Sequence, residues 1–493
     1  MKRQRWIRRS APIWRRWGME NKTTLMTLGD VCYITDGAHA KVERQVSGIM
    51  YLTSKNIGDG KLKLDNFDFI SESSFSKLFT NTKKAQRKLQ AGDVLMGIIG
   101  TFGNCYLYKE TDYFGISSSV AILRPAQSKL LPEYLYYYIS SASFKKILEK
   151  FKGGSVQGYT NIATIKALPI PIPSLETQKV IIANLTPLDK KITLNCQVNK
   201  TLENMAQTLF KSWFVDFDPV VDNALDAGFF EQDLEFPDEL LHRVEARKAA
   251  RESADFKPLP EDIRQLFPAA FEECSEPSLG LGGWVPKVWE SLPVGSLIDL
   301  IGGGTPKTSE HSYWGGDIPW FSVVDAPNDS DVFVLSTEKK ITDLGVKNSS
   351  TKVLRIGTTI ISARGTVGKC ALVATPMAMN QSCYGVIGTN GIHDYFIYYL
   401  IRQSVSQLQQ RSHGSVFSTI TRDTFNSFKF AFSGESIANA FGETISPWFE
   451  KIRANNQQRY MLANLRDTLL PKLISGELRL SGSEVDTAEE VLA

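Results

Sequence analysis

From Leu185 to Trp213 a mostly apolar set of positions falls alternately three and four residues apart, through Leu188, Ile192, Asn195, Asn199, Leu202, Ala206 and Leu209. The same spacing returns from Ile445 to Leu473, through Trp448, Ile452, Asn455, Arg459, Leu462, Arg466 and Leu469. A 3–4 alternation makes a narrow seam, which suits a helical partner better than a broad domain surface. Each stretch therefore predicts a long helix, and the simplest partner for each is the other, as an antiparallel coiled coil. The seam is assigned to Leu188, Ile192, Asn195, Leu202 and Leu209 on the first helix, and to Trp448, Ile452, Asn455, Leu462 and Leu469 on the second. Asn195 and Asn455 set an amide at the same point of both, which costs stability but fixes register. The alternative is an amphipathic helix lying on its own domain.

Ahead of each helix the pattern changes to short β-rich segments, VLMGIIG and GTTIISA among them, broken by Gly, Asn, Asp and Ser. A shorter helical piece follows in each half, EYLYYYI at 133–139 and DYFIYYL at 394–400. LPIPIPSLE then reads as a connector in the first half, its prolines stopping strand and helix alike. The halves also share residues. Gly100, Thr101, Gly103, Cys105 and Leu107 match Gly365, Thr366, Gly368, Cys370 and Leu372, and GSV occurs at both 154–156 and 414–416. A repeat this long is a duplicated domain, not a solenoid, whose units run about 20–50 residues. The expected class is α+β, with two tandem mixed α/β domains at 26–174 and 290–433 and long helices within 175–216 and 434–480. Pairing of those helices gives pseudo-two-fold symmetry. Residues 217–289 read as an acidic linker, with EFPDELLHRVEARKAARESADF forming a short charged helix; residues 1–25 and 481–493 are tails. About thirty residues of helix span roughly 45 Å, and one turn of B-DNA rises about 34–36 Å. The pair has the scale of a ruler for a turn of duplex.

Composition narrows the function. The first eighteen residues hold seven Lys/Arg and three Trp with no acid, and without them the formal net charge falls from +3 to −4. Bulk charge thus gives no argument for nucleic acid, and Met19 is the expected translation start. Six cysteines without CxxC spacing read as buried thiols in a reducing, cytoplasmic setting, and five scattered histidines make no metal pattern. No apolar run reaches membrane-spanning length.

Catalytic motifs are missing from the sequence. GGGTPKT (302–308) lacks the P-loop spacing, PD at 237–238 with EARK at 245–248 puts Arg247 where a nuclease Lys belongs, and neither a GxSxG nor an aminomethyltransferase tetrad occurs. Recognition chemistry is better represented. Lys83, Lys84, Arg87 and Lys88 line up as one basic stripe if helical, suited to a phosphate backbone. Arg364, Thr366 and Lys369 sit on a glycine turn matched by Thr101 and Asn104; Asn380 and Gln381 lie in NQS. Ser155, Gln157 and Tyr159 correspond to Ser415 and its neighbours up to Arg422. Side chains of these types contact bases, Arg reading guanine with two hydrogen bonds; turn chemistry explains any single one equally well.

GGTPKTSEHSYWGGDIPWFSVVD (303–325), ISARGTVGK (361–369), MNQSC (379–383), LPIPIPSLETQK (168–179), LFKSWFVDFDPV (209–220), LGGWVPKVWE (281–290) and LLPKLISGELRL (469–480) together resemble the specificity subunits of type I restriction-modification systems. The likeness covers nearly all of residues 26–480. It implies two target-recognition domains that each read half of a bipartite, asymmetric DNA site, helices that set the spacer, and no catalytic activity in the subunit. Two modification subunits using S-adenosylmethionine, and restriction subunits using ATP and Mg, are the implied partners. TDGAHAKVERQVSGIMYLTSKNI (35–57) lacks GGTP and the Trp-Gly-Gly element, and GISSS (115–119) replaces NQS. The competing readings are a coiled-coil adaptor with two protein-binding modules and an enzyme fused to its own recognition domains.

Overall fold

The computed structural model describes residues 23–478 apart from 41, 83–85, 101, 152–158, 329, 412–418 and 476. It is a mixed α/β chain in two compact units, divided at 192/193 and again at 459/460.

In the first unit Cys32–Asp36, Val120–Pro125, Val94–Gly97 and Cys105–Leu107 form a four-stranded antiparallel sheet in that order. Val94, Met96, Cys105, Ala121 and Leu123 face one core, shared with the helix Pro132–Ser140 and the start of the long helix. Leu95, Tyr106, Val120 and Ile122 face a second core under a small sheet of Ile49–Leu52, Asp68–Ile70 and Gly115–Ile116. Burial on both faces explains why VLMG is an unbroken apolar run without alternation.

Pro169–Ile172 corrects the sequence reading of a connector, because it is a strand paired with Thr24–Thr27. Its prolines take alternate positions of a two-stranded ladder, so Ile170 and Ile172 supply the donors. The outer carbonyls of Pro169 and Pro171 accept from the buried hydroxyls of Tyr138 and Tyr134, both at 2.8 Å.

The second unit repeats the plan. Ile298–Gly302, Cys383–Gly388, Thr359–Ser362, Cys370–Val373 and Phe333–Val334 form a five-stranded sheet in that order, again with a core on each face. Glu290–Pro293 pairs with Lys429–Phe432 as Thr24–Thr27 does with Pro169–Ile172.

Residues 217–289 are also more than a linker. Asp218–Asp226 and Asp238–Arg251 are helices, and Val220, Val221, Phe229, Leu240, Phe271 and Trp284 join the main core of the unit. Arg243, Arg247 and Arg251 pair with Asp218, Asp222 and Asp226, one helical turn per step. This ladder neutralises three of the sixteen Asp/Glu of the segment, which keeps an acidic surplus over its seven Lys/Arg.

The long helices are Leu175–Phe214 and Glu435–Ser475. In the first unit Leu185 and Leu188 share a core with Leu462, Leu470, Leu473 and Ile474, and Arg466 donates to Asp189 at 2.9 Å. In the second unit three buried asparagines form a chain, Asn199 donating to Asn456 (2.7 Å) and Asn455 to Asn199 (2.8 Å), and a fourth, Asn195, donates separately to Gln458 (2.8 Å). Of the assigned seam, Leu188, Asn195, Ile452, Asn455 and Leu462 are buried, whereas Ile192, Leu202, Leu209, Trp448 and Leu469 are half-buried. Phe210, Phe449 and Leu470, each one residue further on, are buried in place of the last three. Asn199→Leu strands the buried amide donor of Asn455, whereas Asn456 Oδ1 still accepts from Arg459 (3.1 Å), so a loss of about 1–3 kcal/mol is expected in chemical denaturation of the full chain. An unchanged midpoint would show that the amide chain contributes nothing.

Candidate nucleic-acid interface

Strand direction decides where the candidate residues meet. In the second unit Gly302 pairs with Tyr384, Ser362 with Cys383 and Ile361 with Cys370, so the 303–313, 363–369 and 380–382 loops leave the same end of the sheet. Arg364, Thr366, Lys369, Asn380 and Gln381 all stand on this loop face. In the first unit Asp36, Met96, Gly97, Val120 and Cys105 mark the corresponding end, which carries Asn104 on the 98–104 turn.

The two loop faces share a backbone. Ile98 donates to Ser119, Thr160 to Ile98 and Gly103 to Gly97; Ala363 donates to Ser382, Ile420 to Ala363 and Gly368 to Ser362. Gly100 and Gly103 have φ of 81° and 82°, Gly365 and Gly368 of 77° and 89°. The duplicated glycines thus sit in the left-handed region, where a side chain is strained. Ser117 Oγ and Asn380 Oδ1 accept from the amides of Ser119 and Ser382, which puts GISSS and NQS in the same turn.

One further equivalence is hidden in the sequence. Gly37 and Gly303 both lie against the loop backbone, where a Cβ would come within 2.3 Å of the Ile116 carbonyl oxygen and 1.9 Å of the Asn380 carbonyl oxygen. The first unit lacks GGTP but keeps the glycine that this close approach requires. Likewise Thr53 with Asn56 and Ser322 with Asp325 form the same capping box at the ends of matching strands.

Several candidates are occupied by the fold. Arg87 is not on a helix: its guanidinium donates to the carbonyls of Asp36 and Gly37 at 3.0 Å and pairs with the Asp36 carboxylate, and Gln86 is held by Tyr33. The basic stripe is thereby corrected, since Arg87 ties a loop to a strand end while Lys88 remains exposed. Asn104 donates to Ile57 (3.3 Å), and Gln381 accepts from Thr305. Tyr159, Arg364, Thr366, Lys369 and Arg422 are exposed. Lys83, Lys84, Thr101, Ser155, Gln157 and Ser415 lie outside the described residues.

Sequence reasoning missed Lys55 and Lys63. They line an open cleft of about 560 Å³ beside Gly100, with Ser54, Asn66 and Ser119. Their only local signal is the Thr-x-x-Asn box around Lys55. In the second unit Trp320 donates to the Gly304 carbonyl at 3.0 Å and packs edge-on against Trp314, pinning the 303–313 loop. Burial pushes the Cys32, Cys105 and Cys383 thiols up to about 12, so these stay protonated at neutral pH. Among the described residues no three metal-ligating side chains cluster, and no helix is long and apolar enough to cross a membrane.

The family model described as "Type I restriction modification DNA specificity domain" matches residues 20–204 and 286–433. The chain is 28% identical over 411 residues to the type I restriction enzyme HindI specificity subunit of Haemophilus influenzae, covering 80% of this chain and 88% of the relative. It is 21% identical over 460 residues to the putative type I restriction enzyme MjaX specificity subunit of Methanocaldococcus jannaschii, covering 91% of each. A type I restriction-modification S subunit from M. genitalium, solved by crystallography, aligns with a TM-score of 0.48 at 14% identity over 92% of this chain and 96% of that one.

Proposed function

We infer that this chain, which belongs to the type I restriction-modification DNA specificity family, is a specificity subunit whose two modules each read one half of a bipartite, asymmetric DNA site. A specificity subunit is non-catalytic; the catalytic activities of such systems lie in other subunits. The observation that carries the two-half reading is the shared backbone of the two loop faces, which carry different exposed side chains. One scaffold displaying two residue sets suits two different short sequences. Phosphate contacts from the exposed lysines and arginines position the modules, and base-edge contacts select the sequence.

In this reading the long helices pair as an antiparallel coiled coil with pseudo-two-fold symmetry, hold the modules a fixed distance apart and dock two modification subunits. Those subunits bind S-adenosylmethionine and methylate adenine; restriction subunits, with ATP and Mg, complete a cytoplasmic complex. The test is single-molecule methylation sequencing of DNA from cells co-expressing this chain with its modification subunit, compared with that subunit alone. A bipartite adenine-methylated motif that depends on this chain is expected. A stable complex with no motif and no sequence-dependent DNA binding would favour an adaptor whose modules bind proteins.

A further inference from the structure

At the end of each sheet one residue of the glycine turn forms an isolated antiparallel bridge with the segment that enters the following short helix. In the first unit the bridged residues are Ile99 and Tyr159; in the second they are Arg364 and Thr419. Flanking hydrogen bonds, Thr160 to Ile98 and Ile420 to Ala363, at 3.0 and 2.8 Å, place the two bridges at the same point of the repeat. The frame is common and the side chains are opposite in character. Ile99 is 42% and Tyr159 54% exposed, two large apolar side chains side by side in solvent at the loop end. Arg364 is exposed, and among the described residues no carboxylate pairs with it, in contrast to Arg87, Arg124 and Arg402, which are tied to Asp36, Asp93 and Glu203. Nothing in the fold accounts for an apolar pair in one place and a guanidinium–hydroxyl pair in the other.

We propose that these bridged residues are the specificity-determining pair of each module, Ile99 with Tyr159 selecting an A·T pair and Arg364 with Thr419 selecting a G·C pair. The proposal rests on the half-site reading above. Arginine presents a planar fork of donors that fits O6 and N7 of guanine, and the threonine hydroxyl adds a short contact beside it. Isoleucine and the tyrosine ring offer no such fork but make an apolar surface for the thymine methyl group. The backbone bridge holds each pair together, so the two side chains meet neighbouring base edges as a unit.

The full chain, co-expressed with its modification subunit, carries the test by methylation sequencing. In Arg364→Ile with Thr419→Tyr, one position of the second half-site is expected to lose its G·C preference by about tenfold or more, or to turn to A·T, with the first half-site unchanged. In Ile99→Arg with Tyr159→Thr, one position of the first half-site is expected to move from A·T towards G·C. Wild-type half-sites in both variants, with methylation retained, overturn the proposal. Where a double variant methylates nothing, Arg364→Ala in the assembled complex is measured on duplexes randomised over the second half-site. Preference relaxed at one position supports base reading; uniformly weaker binding with every preference kept marks a phosphate contact and overturns it. Absence of any motif with the wild-type chain counts against the half-site reading itself.

Discussion

Exchanging residues 290–433 for the corresponding module of another family member will replace the second half of the recognised site and leave the first half unchanged. The module is suited to exchange because its ends, Glu290–Pro293 and Lys429–Phe432, pair with each other and bring both junctions side by side. Its loop face is built from its own strands, so the residues proposed to read DNA travel with it. The new half-site should be preferred over the old by about a thousandfold or more, the usual gap between specific and non-specific sites. Incoming modules must keep bulky apolar side chains at Phe396 and Phe430, which pack on Phe210 and Phe214 outside the exchanged segment. Methylation mapping reads the result, and an unchanged second half-site would end base readout by this module.

A second change should alter the spacer alone. Inserting one heptad between Ile192 and Thr193, with a second between Arg459 and Tyr460, adds seven residues to each long helix where the chain passes from one unit to the other. Packing inside each unit is left intact, and a heptad turns the helix by only about 20° from its starting phase. The added rise is about 10 Å, close to three base-pair steps. Duplex phase works against the full length, since each added step also rotates the second half-site by about 35°. The spacer is expected to lengthen by about one to three base pairs with both half-sites kept. A heptad in only one helix slips Asn199 from Asn455 and Asn456 or Arg466 from Asp189 and should abolish methylation. A spacer unchanged by the paired insertion would sink the ruler.

Legibility in the sequence followed the range of the interactions. The long helices show in a local spacing, and the glycine turn shows because φ near +80° selects glycine in both copies. The equivalence of Gly37 and Gly303 stayed hidden, because what requires each glycine is a carbonyl about eighty residues away, Ile116 or Asn380. Arg87 read as a phosphate ligand for the same reason. Its partners, the carbonyls of Asp36 and Gly37, lie on another strand end.

By itself, then, the sequence determined two copies of an α/β module, each with a long helix, and a duplicated turn carrying polar side chains. These are properties of periodicity and backbone conformation, which neighbouring residues fix. Tertiary structure decided the rest: the proline-rich edge strand, the folding of residues 217–289 into the second core, and the shift of burial from Leu209, Trp448 and Leu469 to Phe210, Phe449 and Leu470. A helix turns every 3.6 residues, so a 3.5-residue seam drifts off its partner with length. Where it does, the broad aromatic face of Phe396, Tyr399 and Phe441 around Phe210 takes over the burial.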